Sequence, residues 1–180
     1  MKTDFNDLKS TIKGNYGEHI IVPVLKAKGY TVYKVDEDNK PHTHDYYITR
    51  WRRGKLQQFA VEVKTKSSLL YYDAIGIDNN KLEKYIEINK AVKLIFITID
   101  DVTGTIEWSL LDTLLAPIEV FDTKKKQIIS YPNSDLLAKN KSTLVWKNNM
   151  KVLGLLKDND IDNIRKLTNV SPDYYNKYYN

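Results

Sequence analysis

The first third of the chain changes from a helical to an extended pattern of apolar residues. Apolar positions in Asn15 to Lys28 recur on one side of a helix, and Gly29 marks its end. From Tyr30 onward the two-residue alternation of strands begins. The predicted elements are helices over 4–13 and 15–28 and strands over 30–35, 45–51 and 56–65. The last two strands flank a short basic turn and are therefore expected to form a hairpin.

The middle of the chain predicts a helix followed by a buried strand. Asp78 to about Lys90 has helical spacing, and Val92 to Ile99 is almost continuously apolar, as in a central strand covered on both faces. Thr105 to Leu110 is expected to pair back after a turn. Weaker patterns predict strands near 127–131 and 143–147 and a helix near 160–168. This order predicts an α/β fold with a mixed central sheet flanked by helices.

The composition excludes several kinds of protein. The chain has 180 residues and no cysteine, which excludes disulfide frameworks, thiolate zinc sites and cysteine nucleophiles. No apolar run approaches the ~18 residues of a membrane span. The first residues are not followed by the apolar segment of a secretory signal. We therefore expect an intracellular, cytoplasmic protein without a membrane partner.

The formal net charge of +5 is concentrated in one segment. Between positions 50 and 66, six basic residues stand against one acidic residue, so the rest of the chain is about neutral. The basic residues are Arg50, Arg52, Arg53, Lys55, Lys64 and Lys66. Such a cluster is typical of a surface that binds a polyanion. A solvated hairpin tip explains it equally well.

The predicted hairpin brings acidic residues together at the end opposite its turn. Glu62 and Lys64 are two positions apart on a strand, so they share one face while the neighbouring valines point into the core. Asp45, at the start of the preceding strand, falls beside them. Singly, Glu62 is explained as half of an ion pair and Asp45 as a strand-start residue. Together their carboxylates form a hard-oxygen site suited to Mg²⁺ or Mn²⁺.

Glu18 adds a third carboxylate from the helix that precedes the sheet. A glutamate in this position is also favoured simply by the dipole of the helix, as a solvated residue.

In this order the set resembles the PD-(D/E)XK nuclease superfamily, and most closely its Holliday-junction-resolvase-like and phage nuclease members. The matching motifs are Gly17-Glu18, His44-Asp45 and Glu62-Val63-Lys64, followed by Thr65-Lys66 and by a helix after Gly76-Ile77-Asp78. The resemblance spans about residues 14–110, and His44 stands where the family motif has proline. It implies a restriction-endonuclease-like core of order αβββαβ over 1–115, with 116–180 as a C-terminal elaboration packed on the core.

The resemblance also implies a function and a role for each matched residue. Asp45 and Glu62 bind Mg²⁺ or Mn²⁺, with the Val63 carbonyl as an extra ligand and Glu18 in support. Lys64 orients or deprotonates the attacking water and offsets charge in the transition state. The implied function is a metal-dependent endonuclease that hydrolyses phosphodiester bonds in duplex or branched DNA. The residues expected to bind the nucleic acid are Arg50, Arg52, Arg53, Lys55, Lys66 and Lys81.

Some features keep two interpretations. Tyr85 has the apolar spacing of a core residue, but it lies on the helix from which the superfamily often supplies a polar active-site side chain. His42 and His44 beside Asp45 suggest zinc, which the absence of an HExxH motif disfavours. The tyrosine-rich tail, 174–179, is expected to pack as a last helix or to form a homodimer contact, rather than to stack on bases.

The same predicted fold is also compatible with other functions. A catalytically silent nucleic-acid-binding module is the main alternative, and a structural or protein-binding protein is the third. The combination of Asp45, Glu62 and Lys64 favours the enzyme, because a silent module has no chemical need for all three.

Overall fold

The computed structural model describes residues 9–35, 43–66, 74–137 and 142–167. The start of the predicted first helix, His42 and the tyrosine-rich tail lie outside the described residues. The prediction of two separate N-terminal helices is wrong within them. One helix, α1, runs from Lys9 to Ala27, because Gly14 adopts helical backbone angles and does not interrupt it.

The other predicted elements occur in the expected order, and further strands and a short helix that were not predicted lie among them. The helices are α2 (Asn79–Ala91), α3 (Leu111–Leu115) and α4 (Asp158–Lys166). The strands are β1 (Thr31–Lys34), β2 (Tyr46–Arg52), β3 (Lys55–Lys66), β4 (Ala74–Asp78), β5 (Leu94–Asp100), β6 (Thr105–Leu110), β7 (Ile118–Asp122), β8 (Gln127–Tyr131), β9 (Ser134–Leu137), β10 (Ser142–Trp146) and β11 (Lys151–Leu155). A short 3₁₀ helix spans Lys147–Asn149.

A six-stranded mixed sheet organises the fold, with strand order β1-β2-β3-β5-β6-β11. The β3–β5 pair is parallel and its neighbours are antiparallel. All seven residues of β5 are buried, which confirms the central strand expected from its apolar run. The predicted class, a mixed α/β fold with helices flanking the sheet, is confirmed. At one edge the sheet is completed by β11, which pairs with β6.

A smaller sheet of order β4-β10-β9 lies beside this core. Its first strand was not predicted, because Gly76 interrupts the short apolar run of β4. Val145 of β10 pairs with Ile75 of β4, and both side chains are buried. β4 lies close to the end of β3, where the Lys66 ammonium donates to the Gly76 carbonyl.

The two faces of the main sheet carry two apolar layers. One layer joins Val61, Val63 and the β5 isoleucines to α1 and to Ile164 of α4. The other joins alternate residues of the same strands to Tyr85 of α2 and to α3. The alternation of side chains along a strand therefore places Glu62 on the α2 side of the sheet. Among the described residues, no helix is long and apolar enough to cross a membrane.

Candidate active site

Glu62 lies at the centre of the predicted site. Its side chain is buried, with 4% of the residue exposed. The Lys64 ammonium forms an ion pair with Oε1 of Glu62, and the Tyr85 hydroxyl donates a hydrogen bond to the same oxygen at 2.6 Å. Both donors use Oε1, so Oε2 is the oxygen left for a cation. The expectation that Glu62 and Lys64 share a face holds in this geometry.

Asp45 is fixed next to Glu62 by main-chain hydrogen bonds. Its amide donates to the Val61 carbonyl at 3.0 Å, and its Oδ2 accepts from the Val63 amide at 2.7 Å. The first registered pair of this hairpin is Tyr46 with Val61, so Asp45 stands opposite Glu62, one step beyond the paired strands. The hairpin argument from the sequence predicts this position.

The main-chain N–H and C=O of Val63 lie on the side of β3 that faces Asp45. In a strand, the N–H and C=O of one residue lie on the same side. Because the Val63 amide donates to Asp45, its carbonyl also points toward the Asp45 side of β3. This orientation supports the Val63 carbonyl as a ligand beside the two carboxylates.

Burial and like charges raise the pKa of Asp45 to about 7. Desolvation is the largest cause, and the negative charges of Glu62 and Glu18 add to it. The Val63 hydrogen bond and the Lys64 charge oppose the shift. A cation bound nearby would stabilise the ionised form of Asp45, because its positive charge would offset the repulsion from Glu62 and Glu18.

Glu18 reaches the site through close packing of α1 on β3. A methyl group on Gly17 would overlap Oγ1 of Thr65 and lie 3.0 Å from its Cβ, so only glycine allows this approach. The Tyr46 hydroxyl donates to the Glu18 carbonyl at 3.0 Å and links the helix to β2. Burial, and then the charges of Glu18 and Asp45, raise the pKa of Tyr46 to about 12.

A groove of about 530 Å³ opens beside these carboxylates. The N-terminal half of α1, the end of β3, the end of β4 and the start of α2 form its walls. Its charged lining residues are Lys13, Glu18, Lys64, Lys66, Asp78 and Lys81. The Lys66 ammonium donates to the Gly76 carbonyl at 2.7 Å. Partial desolvation and the positive charges of the neighbouring lysines lower the pKa of Lys66, which Asp78 opposes.

The other predicted basic residues lie at the far end of the sheet. Arg52 and Lys55 close the β2–β3 turn and, with Arg53, line a separate surface pocket. Seven residue steps separate Lys55 from Glu62 along β3, which is about 23 Å at about 3.3 Å per residue. Arg50 is engaged locally: its guanidinium carbon lies 4.5 Å from the centre of the Tyr30 ring. The structure therefore brings Lys66 and Lys81 into one groove with Glu18 and Lys64, but not this hairpin.

No protein-family model matches the chain, and no curated protein matches it. The chain is similar in structure to Hjc, a Holliday junction resolvase from the archaeal hyperthermophile Archaeoglobus fulgidus, whose structure is known at 1.6 Å resolution. The identity is 12% and the TM-score 0.46, and the similarity covers 75% of this chain and 88% of that one.

The oxygens of Asp45, Glu62 and Val63 match part of the ligand set that a hard divalent cation needs. In the described ranges, no group of three or more His, Cys, Asp or Glu side chains is arranged to hold a metal ion. The carboxylates of Asp45 and Glu62 lie near each other, and the Val63 carbonyl points to the Asp45 side of β3. Oxygen donors of this kind suit Mg²⁺ or Mn²⁺, which keep several waters. Glu18 lies close enough to raise the pKa of Asp45 and would act from outside this set.

Tyr85 is the residue whose role the sequence left open. It is 2% exposed and packs in the apolar layer, as the favoured interpretation expected, yet its hydroxyl binds Glu62. Burial and the charge of Glu62 raise the pKa of Tyr85 well above its ordinary value, so the phenol keeps its proton. Its position one turn after Lys81, on a helix that follows the Glu-x-Lys strand, is the signal that pointed to it.

His44 occupies a structural position next to Asp45. Its ring is buried, meets the Tyr47 ring edge-on at 4.5 Å between centroids, and lies 3.1 Å from the Thr43 hydroxyl.

Proposed function

We propose that this protein is a divalent-metal-dependent DNA endonuclease that hydrolyses phosphodiester bonds. One observation carries the proposal: two neighbouring carboxylates lie beside Lys64, which pairs with one of them and itself lines a groove with further lysines. The carboxylates, from Asp45 and Glu62, suit a metal, and the groove suits the phosphates of a polyanion. When bound, Mg²⁺ or Mn²⁺ polarises the scissile phosphate and lowers the pKa of a coordinated water.

Lys64 has a defined task in this reaction. Its ammonium is ion-paired with Glu62, and it acts as a positive charge directed at the reacting phosphate. Phosphodiester hydrolysis builds negative charge on the phosphate oxygens, and a preorganised cation stabilises this charge most in the transition state. Lys64 also has an N–H available to orient the attacking water.

The lysines of the groove bind substrate away from the bond that breaks. Lys66 and Lys81 line the groove together with Lys64 and with Lys13, whose ammonium pairs with Asp101 at 2.8 Å. Their charges hold the phosphates that flank the scissile one, and this binding depends on salt. We propose duplex or branched DNA as the substrate, with a structure-specific, resolvase-like preference, and an intracellular location where such DNA occurs.

A catalytically silent nucleic-acid-binding module is the second candidate. The observation in its favour is that the part of the chain described by the structure contains no ready-made group of three metal-ligating side chains. Such a module would use the lysines of the groove and would leave the carboxylates without a catalytic task.

A panel of substrates tests the proposal directly. The purified chain is incubated with plasmid, linear duplex, single-stranded, flap and four-way-junction DNA, in Mg²⁺, in Mn²⁺ and in EDTA. We expect cleavage that EDTA abolishes and a rate that differs between branched and linear DNA. Binding without cleavage in both metals supports the silent module instead.

Two variants assign the chemistry. Lys64→Ala is expected to lower the cleavage rate at saturating DNA by about 10²–10³-fold while DNA and metal affinity change little. Lys90→Ala is the matched control, because Lys90 also pairs with a nearby glutamate, Glu87, but on the exposed side of α2. Failure of Lys64→Ala to bind DNA, with unchanged turnover of the bound complex, would assign Lys64 to substrate binding only.

A further inference from the structure

The strands β7 and β8 form a two-stranded ribbon beside the main fold. Ile118–Asp122 pairs antiparallel with Gln127–Tyr131 over five residues on each strand. Among the described residues, neither strand pairs with a third one. Five residues at about 3.4 Å each give the ribbon a reach of about 17 Å. The site described above uses none of these residues.

The ribbon exposes apolar side chains that ordinarily need cover. Val120 is 49% exposed, Ile128 is 65% exposed and Tyr131 is 51% exposed. Val120 and Ile128 lie on opposite faces, because Val120 pairs with Ile129 whereas Ile128 pairs with the next residue of β7. A lone two-stranded ribbon is only marginally stable in water. Each face of the ribbon therefore offers an exposed apolar side chain to a binding partner.

The tip of the ribbon presents three consecutive lysines in a defined turn. Oδ1 of Asp122 accepts hydrogen bonds from the amides of Lys124 and Lys125, at 2.8 and 3.1 Å. Lys126 adopts a left-handed backbone with φ +52° and returns the chain into β8. All three lysines are exposed. Asp122 stabilises the turn through these main-chain bonds, so the positive charges project beyond it.

The base of the ribbon is anchored in the core. Asn133, just after β8, is fully buried, and its side-chain amide donates to the carbonyls of Leu114 and Trp146 at 2.5 and 2.9 Å. The Trp146 amide donates to the Asn133 carbonyl at 3.1 Å. These bonds tie the ribbon to α3 and β10, so it leaves the fold in a fixed direction.

We propose that β7 and β8 form an arm that binds a DNA duplex, with Lys124, Lys125 and Lys126 on its phosphates. This inference rests on the proposed function for the identity of the polyanion. A two-stranded ribbon is one of the elements that the major groove of B-DNA, about 12 Å wide, admits. The lysines contact the backbone, while Val120, Ile128 and Tyr131 contact sugars and base edges.

The charge of the tip favours DNA over a protein strand as occupant. Within the described ranges no third strand pairs with β7 or β8, so an added strand is the competing occupant of their outer edges. The three lysines lie in the turn between the strands, and a protein strand added along either edge would leave their charges without a partner. DNA uses the same lysines and needs no edge pairing.

A neutral variant of the tip tests the arm. Lys124→Gln, Lys125→Gln and Lys126→Asn remove three charges, and asparagine tolerates the left-handed backbone at position 126. The matched control changes three exposed lysines on β11, beside α4 and on α4: Lys151→Gln, Lys157→Gln and Lys166→Gln. Affinity for a labelled duplex is measured in EDTA at a series of KCl concentrations. We expect affinity to fall about tenfold or more in the tip variant and its log–log salt slope to fall by about 1–3, with little change in the control.

A crosslinking experiment locates the contact independently of affinity. Because the chain has no cysteine, Lys125→Cys and the control Lys166→Cys each carry a single photo-crosslinker. Position 125 is expected to crosslink to the duplex, and position 166 is not. An unchanged salt slope together with no crosslink at 125 overturns the arm. So does a concentration-dependent dimer in which 125 crosslinks only to a second copy of the chain.

The nuclease proposal and the arm proposal are refuted by different results. A chain that shows the tip-dependent salt slope but cleaves no DNA in Mg²⁺ or Mn²⁺ refutes the nuclease and supports the arm. A chain that cleaves DNA while the tip variant behaves like the control supports the nuclease and refutes the arm. A chain that binds no DNA refutes both.

Discussion

The hydroxyl of Tyr85 donates a 2.6 Å hydrogen bond to Oε1 of Glu62, the same oxygen that pairs with Lys64. The two residues come from α2 and β3, and both are almost fully buried. A neutral donor and a cation on one oxygen hold the carboxylate in a single orientation. Glu62 is therefore held in place before any metal binds.

Tyr85→Phe is expected to weaken metal binding more than folding. The phenyl ring keeps the edge-on contact with Phe96, whose centroid lies 5.9 Å away, so stability should fall by about 1 kcal/mol. Removal of the hydroxyl frees Glu62, and such supporting interactions are typically worth about 10–100-fold in metal affinity. Metal titrations of cleavage and of melting temperature measure both effects. Tyr33→Phe, on an exposed tyrosine of β1, is the control. Equal metal dependence in the two variants would show that Tyr85 serves the core alone.

Asp45 makes stability depend on pH when no metal is present. Its pKa is about 7 in the folded protein and close to 3.8 in the unfolded chain. Between about pH 4 and pH 7 the folded state keeps a proton that the unfolded state has released, so stability falls as pH rises through this window. The decrease is on the order of a few kcal/mol at about 1.4 kcal/mol per pKa unit.

Asp45→Asn separates this effect from other titrations. Asparagine keeps an oxygen for the Val63 amide but carries no charge. In EDTA, urea unfolding should find the variant more stable than the native chain at pH 8 and equally stable near pH 4. Added Mg²⁺ should stabilise the native chain at pH 8 and leave the variant unchanged. Parallel pH curves for the two proteins would contradict the shift.

Gly17→Ala is expected to push α1 away from β3. The new methyl group would overlap the Thr65 hydroxyl, and Ile99 Cδ1 lies only 3.5 Å away on the other strand. Overpacking of this kind costs about 1–3 kcal/mol, and the displaced helix withdraws Glu18 from the carboxylates. Thermal unfolding and metal titration measure the two consequences.

Gly14→Ala is the matched control on the same helix. A methyl group at Gly14 meets nothing within 4 Å, so helix propensity alone predicts a gain of about 0.5–1 kcal/mol. The double variant Gly17→Ala with Thr65→Ala should recover part of the stability. If Gly17→Ala behaves like Gly14→Ala, the close approach does not position Glu18.

The β2–β3 turn is expected to bind DNA without taking part in bond cleavage. It lies about 23 Å from Glu62 at about 3.3 Å per residue, too far to touch the reacting phosphate. The neutral variant Arg52→Gln, Arg53→Asn and Lys55→Gln keeps the left-handed backbone at position 53, where φ is +50°. We expect a weaker Kd, a log–log salt slope lower by about 1 for each phosphate that the turn no longer binds, and unchanged cleavage at saturating DNA. An unchanged salt slope would show that the turn is only a solvated hairpin tip that does not bind DNA.

Local patterns in the sequence were sufficient to predict half of the candidate site. The alternation along β3 places Glu62 and Lys64 on one face, and the hairpin register places Asp45 beside them. Both inferences depend only on a two-residue period and on a turn that closes two adjacent strands. The central strand was predicted from an equally local signal, the nearly continuous apolar run that leads into Leu94 to Asp100.

The rest of the site depends on packing between elements that are distant in the chain. Tyr85 has the spacing of a core residue, and only the packing of α2 on β3 turns its hydroxyl toward Glu62. The raised pKa of Asp45 arises from burial and from the charges of Glu62 and Glu18, the latter supplied by α1 because Gly17 fits against Thr65. Periodicity specifies which face of an element is buried. The partner that covers that face, and the polar atoms that meet there, are selected by the packing free energy of the whole fold, which no local pattern contains.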